Sequence, residues 1–325
     1  MDLRCLGSCI GDRFTSLHGD CVDVLSQIPD DMIDFSIYSP PFGSLFVYSE
    51  SAADMGNSTD EEFAEHYRYL VREKLRITKP GRLTAVHCSD LPMTKWREGA
   101  VGIKDFSGDI IRIHRDAGWI MHSRRTIWKC PVVEMTRTKH VGLLYKQLRS
   151  DSAKSRGGMP DYLLTFVKPG ENADPIEHTP EQFPLEQWQE WAAPVWMTVD
   201  QGNVLNVQAA RAAQDERHLC PLQLDVIERG LVMWSNPGDV VLSPFMGIGS
   251  EGVVSLKLGR RFLGIELKES YWRQACRYLE AEDRQGTLFA AYDSADDIGK
   301  SVRVGLKAVQ DRMAAGGPAW PKDEP

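Results

Sequence analysis

Two short stretches of this 325-residue chain have residue types and spacings that can do chemistry. The first is Ser243-Pro244-Phe245-Met246-Gly247-Ile248-Gly249-Ser250, directly after the apolar run Val240-Val241-Leu242. Glycines spaced this way at the end of a strand let the backbone approach a ligand closely. Glu266 closes the next apolar run, 17 residues beyond Gly249, where a carboxylate can accept bonds from both hydroxyls of a ribose. The pair reads as a dinucleotide- or nucleoside-type site, although Gly247-x-Gly249 alone is equally compatible with a tight turn. The second stretch is Ser39-Pro40-Pro41-Phe42, after the apolar run 33–38. Two prolines cannot continue a central strand, so the chain must turn at the strand's C-terminal edge. In open α/β sheets that edge is where ligands bind. Taken alone, this stretch also reads as a rigid turn.

The surrounding pattern supplies a frame for both. Residues 13–28 read as strand, turn and helix, with Gly19-Asp20 at the turn. Asp60-Glu61-Glu62 after Thr59 starts a helix that Phe63, Tyr67, Leu70 and Leu75 carry through Arg76. Strands are expected at 83–87, 121–128 and 162–167, with a helix over 109–116. The final third gives a helix over 218–234, a strand at 240–242, a helix over 251–258, a strand at 261–265 and a helix over 271–280. A short helix over 300–313 and a frayed tail complete the expectation. This alternation implies a doubly wound α/β sheet.

Composition is that of an ordinary globular protein, with 42% hydrophobic and 26% charged residues, which argues against a fibre or a largely disordered chain. The net charge of −8 suggests nothing basic, but the average conceals a contrast. Between Arg112 and Arg156 eleven lysines and arginines face three acids, whereas 169–203 has seven acids and no Lys or Arg. Seven cysteines without paired spacing do not make a disulfide framework, and no C-x-x-C occurs, so a reducing cytoplasm is expected and a metal is not. Cys130 precedes a proline and reads as an incidental thiol. No run approaches the ~20 apolar residues that span a bilayer, so no membrane association is expected.

Together the two motifs resemble those of the amino-methylating DNA methyltransferases. That family's catalytic motif is [Asp/Asn/Ser]-Pro-Pro-[Tyr/Phe/Trp], and its cofactor motif is Asp-x-Phe-x-Gly-x-Gly. Here the catalytic motif comes first by about 200 residues, the circularly permuted order of the β group. Gly19-Asp20-Cys21 is similar to the group's adenine-binding element. His218-Leu219-Cys220-Pro221-Leu222-Gln223 resembles its His-Pro-x-Gln-Lys-Pro element at the methionine end of the cofactor. The likeness runs over residues 12–280 or so. It departs at Ser243, where Asp is usual, and at Leu222 and Leu224 beside Gln223, so cofactor affinity can differ.

The resemblance implies a seven-stranded, mostly parallel, Rossmann-like methyltransferase sheet. Its catalytic half covers 12–168, with basic DNA-binding loops at 129–160. A target-recognition or interface region follows at 169–217, then a cofactor half at 218–282 and a C-terminal extension at 283–325. S-adenosylmethionine is the implied cofactor. Asp20, Cys21, His218, Cys220, Pro221, Gln223, Phe245, Gly247, Gly249, Ser250 and Glu266 are its implied contacts. Ser39 and Pro40, held by Pro41, would accept the hydrogens of an exocyclic amine aimed at the sulfonium methyl, with Phe42 as a stacking face for an extruded base. Arg124, Arg125, Lys129, Arg137, Lys139, Lys154 and Arg156 would follow the phosphates of double-stranded DNA. Trp188, Trp191 and Trp196 are expected in a core or an interface. The family associates Ser-Pro-Pro with N4 of cytosine, yet its solitary bacterial and phage enzymes mostly modify adenine. The expectation is therefore N6-adenine, with N4-cytosine as the alternative. An RNA or small-molecule methyltransferase and a DNA-binding regulator without catalysis are more remote. A homodimer in the bacterial cytoplasm is expected by resemblance only.

Overall fold

The computed structural model describes residues 5–41, 60–93, 99, 102–138, 144–206 and 221–290, with backbone alone at 60, 135–138 and 286–290. The buried run Ile33–Tyr38 forms β3 at the middle of a nine-stranded sheet. Its side chains divide between two cores, Ile33 and Tyr38 on one face and Phe35 and Ile37 on the other. A strand covered on both faces reads as a continuous apolar run, as here.

Beside β3 lie β10 (Val240–Ser243) and then β11 (Arg261–Glu266) and β2 (Phe14–Gly19), all parallel. On its other side is β4 (Thr78–Ser89), also parallel, followed by antiparallel β8 (Asp161–Val167) and then β7 (Ile120–Ile127). These seven strands match the expected sheet, but two more extend it. β1 (Cys5–Ile10) pairs antiparallel with β2, and the two-residue β9 (Val195–Trp196) pairs with β7. β1 alternates half-buried and exposed residues, and β9 is too short to leave a periodic signal. A separate hairpin joins β5 (Leu91–Met93) to β6 (Gly102–Lys104).

Helices cover both faces. α1 (Cys21–Leu25), α2 (Asp60–Ile77) and α3 (Phe106–Asp116) bury Leu25, Leu70 and Ile110 in the first core. The short helices α4 (Pro131–Thr138), α5 (Tyr145–Ser150) and α6 (Leu185–Ala192) come next along the chain. α7 (Leu224–Trp234), α8 (Ser250–Lys257) and α9 (Glu269–Ala290) bury Ile227, Val254 and Leu279 in the second core. α7 starts later than the expected 218, because Pro221 and the extended backbone of Gln223 (φ −61°, ψ 133°) precede its first turn. α9 runs past the expected boundary at 282, and Asp283 on it pairs with Arg13 at 2.9 Å. The expected helix at 300–313 lies outside the described residues.

The two halves of the chain therefore interleave in one sheet. At its N-terminal edge Arg82, 1% exposed, reaches Asp34 at 3.3 Å and also pairs with Asp239. Lys79 joins Asp34 at 2.6 Å, and Asp34 accepts the Val240 amide at 2.8 Å. This ionic knot ties β3, β4 and the start of β10 together, leaving the opposite edge to the motifs.

Candidate active site

The chain leaves β10 at Ser243 and turns through Gly247 (φ +53°) and Gly249 (φ +91°) into α8. A left-handed backbone here favours glycine, and a Cβ on Gly249 would also meet Ala275 at 3.2 Å. Gly252 completes the G-x-G-x-x-G spacing that Gly247 and Gly249 begin. A Cβ there would stand 2.5 Å from Leu279, so this glycine lets α8 lie against α9 and β11. Glu266, at the end of β11, faces the turn, accepting the Gly247 amide at 2.9 Å and the Lys268 amide at 2.8 Å. Asp20, just past the end of neighbouring β2, caps α1 by accepting from Val22 at 2.7 Å and Asp23 at 3.3 Å. Burial pushes its carboxyl up, against the pull of those amides. Cys21 is buried beside it. Phe245 is half-buried, its ring 5.8 Å from that of Tyr38, which ties this loop to the residue before Ser39.

The structure thus gathers Asp20, Cys21, Phe245, Gly247, Gly249, Ser250 and Glu266 at the C-terminal ends of three adjacent strands. Pro221 and Gln223 lead into α7. His218 and Cys220 lie outside the described residues. A nucleoside-bearing cofactor fits this notch. Among the described residues, a Cβ built on Gly247 meets nothing within 4 Å, and Ser243 Oγ, Ser250 Oγ and Gln223 Oε1 are buried without a hydrogen-bond partner. Buried polar atoms are ordinarily satisfied, so such orphans around an opening indicate a polar ligand.

Ser39 leaves the end of β3, with Pro40 buried and Pro41 half-buried behind it. Phe42 lies outside the described residues. Register then builds a row that the motifs did not reveal. Tyr38 pairs with Val86, so Ser39 meets His87 at the end of β4, with Ser39 Oγ 2.8 Å from His87 Nδ1. Ser89 pairs with Asp161, so Asp161 lies diagonally from His87, with Oδ2 3.3 Å from Nε2. Ile127 also pairs with Asp161, and Lys129, two residues on, closes the row on Asp161 Oδ1. Burial alone would raise the Asp161 carboxyl, but His87 and Lys129 outweigh it and hold it well below the usual carboxylate range. The signal that could have found His87 is an imidazole ending a buried strand beside the Ser-Pro-Pro strand.

The basic residues expected on DNA divide into two groups. Arg124 stacks on Tyr162 at 4.0 Å, and Arg125 lies 5.0 Å from the Trp234 ring and bonds Ser123 and the Trp191 carbonyl. Lys129 is committed to Asp161. Lys154 is exposed and pairs with neighbouring Asp151 at 3.1 Å. Both terminal nitrogens of Arg156 are screened from solvent without a hydrogen-bond partner among the described residues. Arg137 is on α4 with its backbone alone described, and Lys139 lies outside the described residues. The segment carrying this second group joins the C-terminal end of β7 to the start of β8, the edge where Ser39 sits. Trp191 and Trp196 are buried, whereas Trp188 is exposed. Among the described residues no His, Cys, Asp and Glu cluster suits a metal, and no helix is long and apolar enough to cross a membrane.

A sheet with a glycine turn and carboxylate on two strands, and a Ser-Pro-Pro run on the next, defines a nucleoside-cofactor group-transfer enzyme. Comparison narrows the class: residues 33–277 match the N6/N4 DNA methylase family, and the chain belongs to that family. It is an S-adenosylmethionine-dependent DNA methyltransferase. Among similar proteins, the DNA adenine methyltransferase YhdJ of Escherichia coli (strain K12) is 23% identical over 292 residues, 88% of this chain and 86% of that one. The type II methyltransferase M1.MboII of Moraxella bovis is 24% identical, over 79% of this chain and 92% of the relative. A DNA modification methylase candidate from Thermus thermophilus, solved with S-adenosyl-L-methionine, shares the fold with a TM-score of 0.61 at 22% identity, over 83% and 93% of the two chains. The cytosine-N4-specific PvuII DNA methyltransferase does so at 0.59 and 16%, over 87% and 95%.

Proposed function

We propose that the enzyme methylates the exocyclic amine of a base swung out of double-stranded DNA, preferring N6 of adenine. One juxtaposition carries the reading: Ser39-Pro40-Pro41 ends the strand paired with β10, whose loop with Glu266 forms the cofactor notch. S-adenosylmethionine, when bound, supplies a methyl group on a positively charged sulfur. Glu266 orients the ribose, and the left-handed turn at Gly247 and Gly249 keeps side chains out of its way. The amine nitrogen is a poor nucleophile because its lone pair is delocalised into the ring. Ser39 Oγ and the Pro40 carbonyl accept its two hydrogens and favour a pyramidal nitrogen with its lone pair directed at the methyl carbon, which is catalysis by positioning and electrostatics. Phe42, next in the chain, is assigned the face on which the base stacks.

The preference for adenine is supported by the relative named for adenine, which matches along nearly the whole chain. Ser39 in the first motif position favours a second reading, N4 of cytosine. Digesting enzyme-treated DNA to nucleosides tests the two: 6-methyladenine is the expected product, and 4-methylcytosine alone selects the second reading. Ser39→Ala is expected to slow methyl transfer about 10²–10³-fold while leaving S-adenosylmethionine binding unchanged. A target-recognition or interface role for 169–217, a homodimer and a cytoplasmic location belong to the same proposal. Light scattering tests the dimer, for which the exposed Leu185, Trp188 and Met197 are apolar side chains available to a partner copy.

A further inference from the structure

The row Ser39–His87–Asp161–Lys129 has more parts than a pair of hydrogen-bond acceptors needs. We propose that it is a proton relay, in which His87 takes up, through Ser39, the proton that the amine must lose when it is methylated. The inference rests on Ser39 facing the reacting amine. His87 itself does not touch the base; it positions and deprotonates through Ser39.

The geometry fixes a direction. Asp161 is the charged group that faces His87 Nε2, its Oδ2 3.3 Å away, and Nε2 makes no hydrogen bond among the described residues. A carboxylate there holds the proton of the neutral ring on Nε2, which leaves the Nδ1 lone pair to accept the Ser39 hydroxyl at 2.8 Å. Ser39 Oγ, its own proton directed at His87, turns its lone pairs outward as an acceptor for the amine. When the nitrogen–methyl bond forms, the sulfur–methyl bond breaks and its electron pair stays on sulfur. The nitrogen, now bearing one proton too many, gives it to Ser39 Oγ as the Ser39 proton passes to Nδ1. The products are the methylamino base, the demethylated cofactor and an imidazolium, which returns its proton to water after the base leaves.

The charged surroundings suit such a ring. Asp161 faces the imidazolium from β8, and Lys129, after β7, shares that carboxylate and keeps it ionised. Asp90 just after β4, Asp105 just before α3 and Arg124 on β7 act on the adjacent Cys88. Side chains of His87 and Asp161 are 10% and 3% exposed, so water competes little with the row.

Single-turnover methyl transfer to duplex DNA, followed from acid to alkaline pH, tests the relay. The wild-type log rate is expected to climb with unit slope on the acid side and then level, with a normal solvent deuterium effect. His87→Asn is expected to lose about 10²–10⁴-fold and the acid-side slope, with S-adenosylmethionine binding unchanged. Added imidazole is expected to restore part of the rate of His87→Ala in proportion to its concentration. A His87→Asn enzyme with the wild-type rate or slope overturns the relay, and so does a wild-type enzyme with no solvent isotope effect, an outcome that needs no variant to fold. Ser39→Ala separates the two proposals. A wild-type rate in that variant removes the amine-binding site itself, whereas loss there beside an unaffected His87→Asn removes only the relay.

Discussion

Glu251 is fully enclosed in the first turn of α8, a few residues from the Gly247 turn. Burial pushes its carboxyl up to about 8, neighbouring Glu266 adds to the shift, and its own backbone amide opposes it. At neutral pH it keeps its proton, so Glu266 does not face a second negative charge behind the cofactor notch. Because the folded value lies above the ordinary 4.5, the folded chain holds this proton through a window in which the unfolded chain has released it. The associated stability is complete below that ordinary value and is lost as pH rises through about 8. Glu251→Gln should abolish this slope. Its gain over wild type in urea unfolding should be small in mild acid and grow to at most about 5 kcal/mol in mild alkali. Parallel curves for the two proteins would show that Glu251 ionises freely. At this scale the sequence revealed residues joined by short spacing, such as Ser39 to Pro41 and Gly247 to Glu266. It did not reveal His87 or Asp161, which lie 48 and 122 residues beyond Ser39 and meet it only through strand register.

The elements follow the same division. β3, β10 and β11 were legible almost to the residue because burial on both faces leaves unbroken apolar runs. Edge strands and short helices were not, since a half-exposed strand and a six-residue helix such as α5 lack a periodic signal. What holds the legible strands in order is also invisible in the sequence. Arg82 on β4 is buried between Asp34 on β3 and Asp239 before β10, and its Nη1 also donates to the Asp174 carbonyl at 2.9 Å. Removing one partner of such a cluster leaves the other charges buried without compensation. Arg82→Met should therefore destabilise by about 3–5 kcal/mol. Arg112→Met, which removes an exposed partner of Asp105 and Asp109, should leave stability nearly unchanged. Urea midpoints read both, and equal losses would show that the knot at the N-terminal edge does not order the sheet.

For the whole molecule, net charge was the least informative quantity and its distribution the most. Arg124, Arg125 and Lys129 belong to the basic segment but are bound to internal partners, so they stiffen the sheet edge. Exposed cations lie farther along, at Lys146 and Arg149 on α5 and at Lys154. They are on the chain between β7 and β8 that springs from the Ser39 edge, interleaved with exposed Tyr145 and Leu148. That position suits phosphates flanking a base delivered to Ser39. Each phosphate neutralised on B-DNA contributes about −0.9 to the slope of log affinity against log salt. Replacing Lys146, Arg149 and Lys154 together by Ala should flatten the slope by roughly 2–3 and weaken binding alike on target and random duplex. Arg125→Ala should instead lower stability and leave the slope in place, because its guanidinium is spent on Trp196, Trp234 and the Trp191 carbonyl. A triple variant with the wild-type slope would move the DNA track to another face of the sheet edge. The negative average would then describe the binding surface better than the basic segment does.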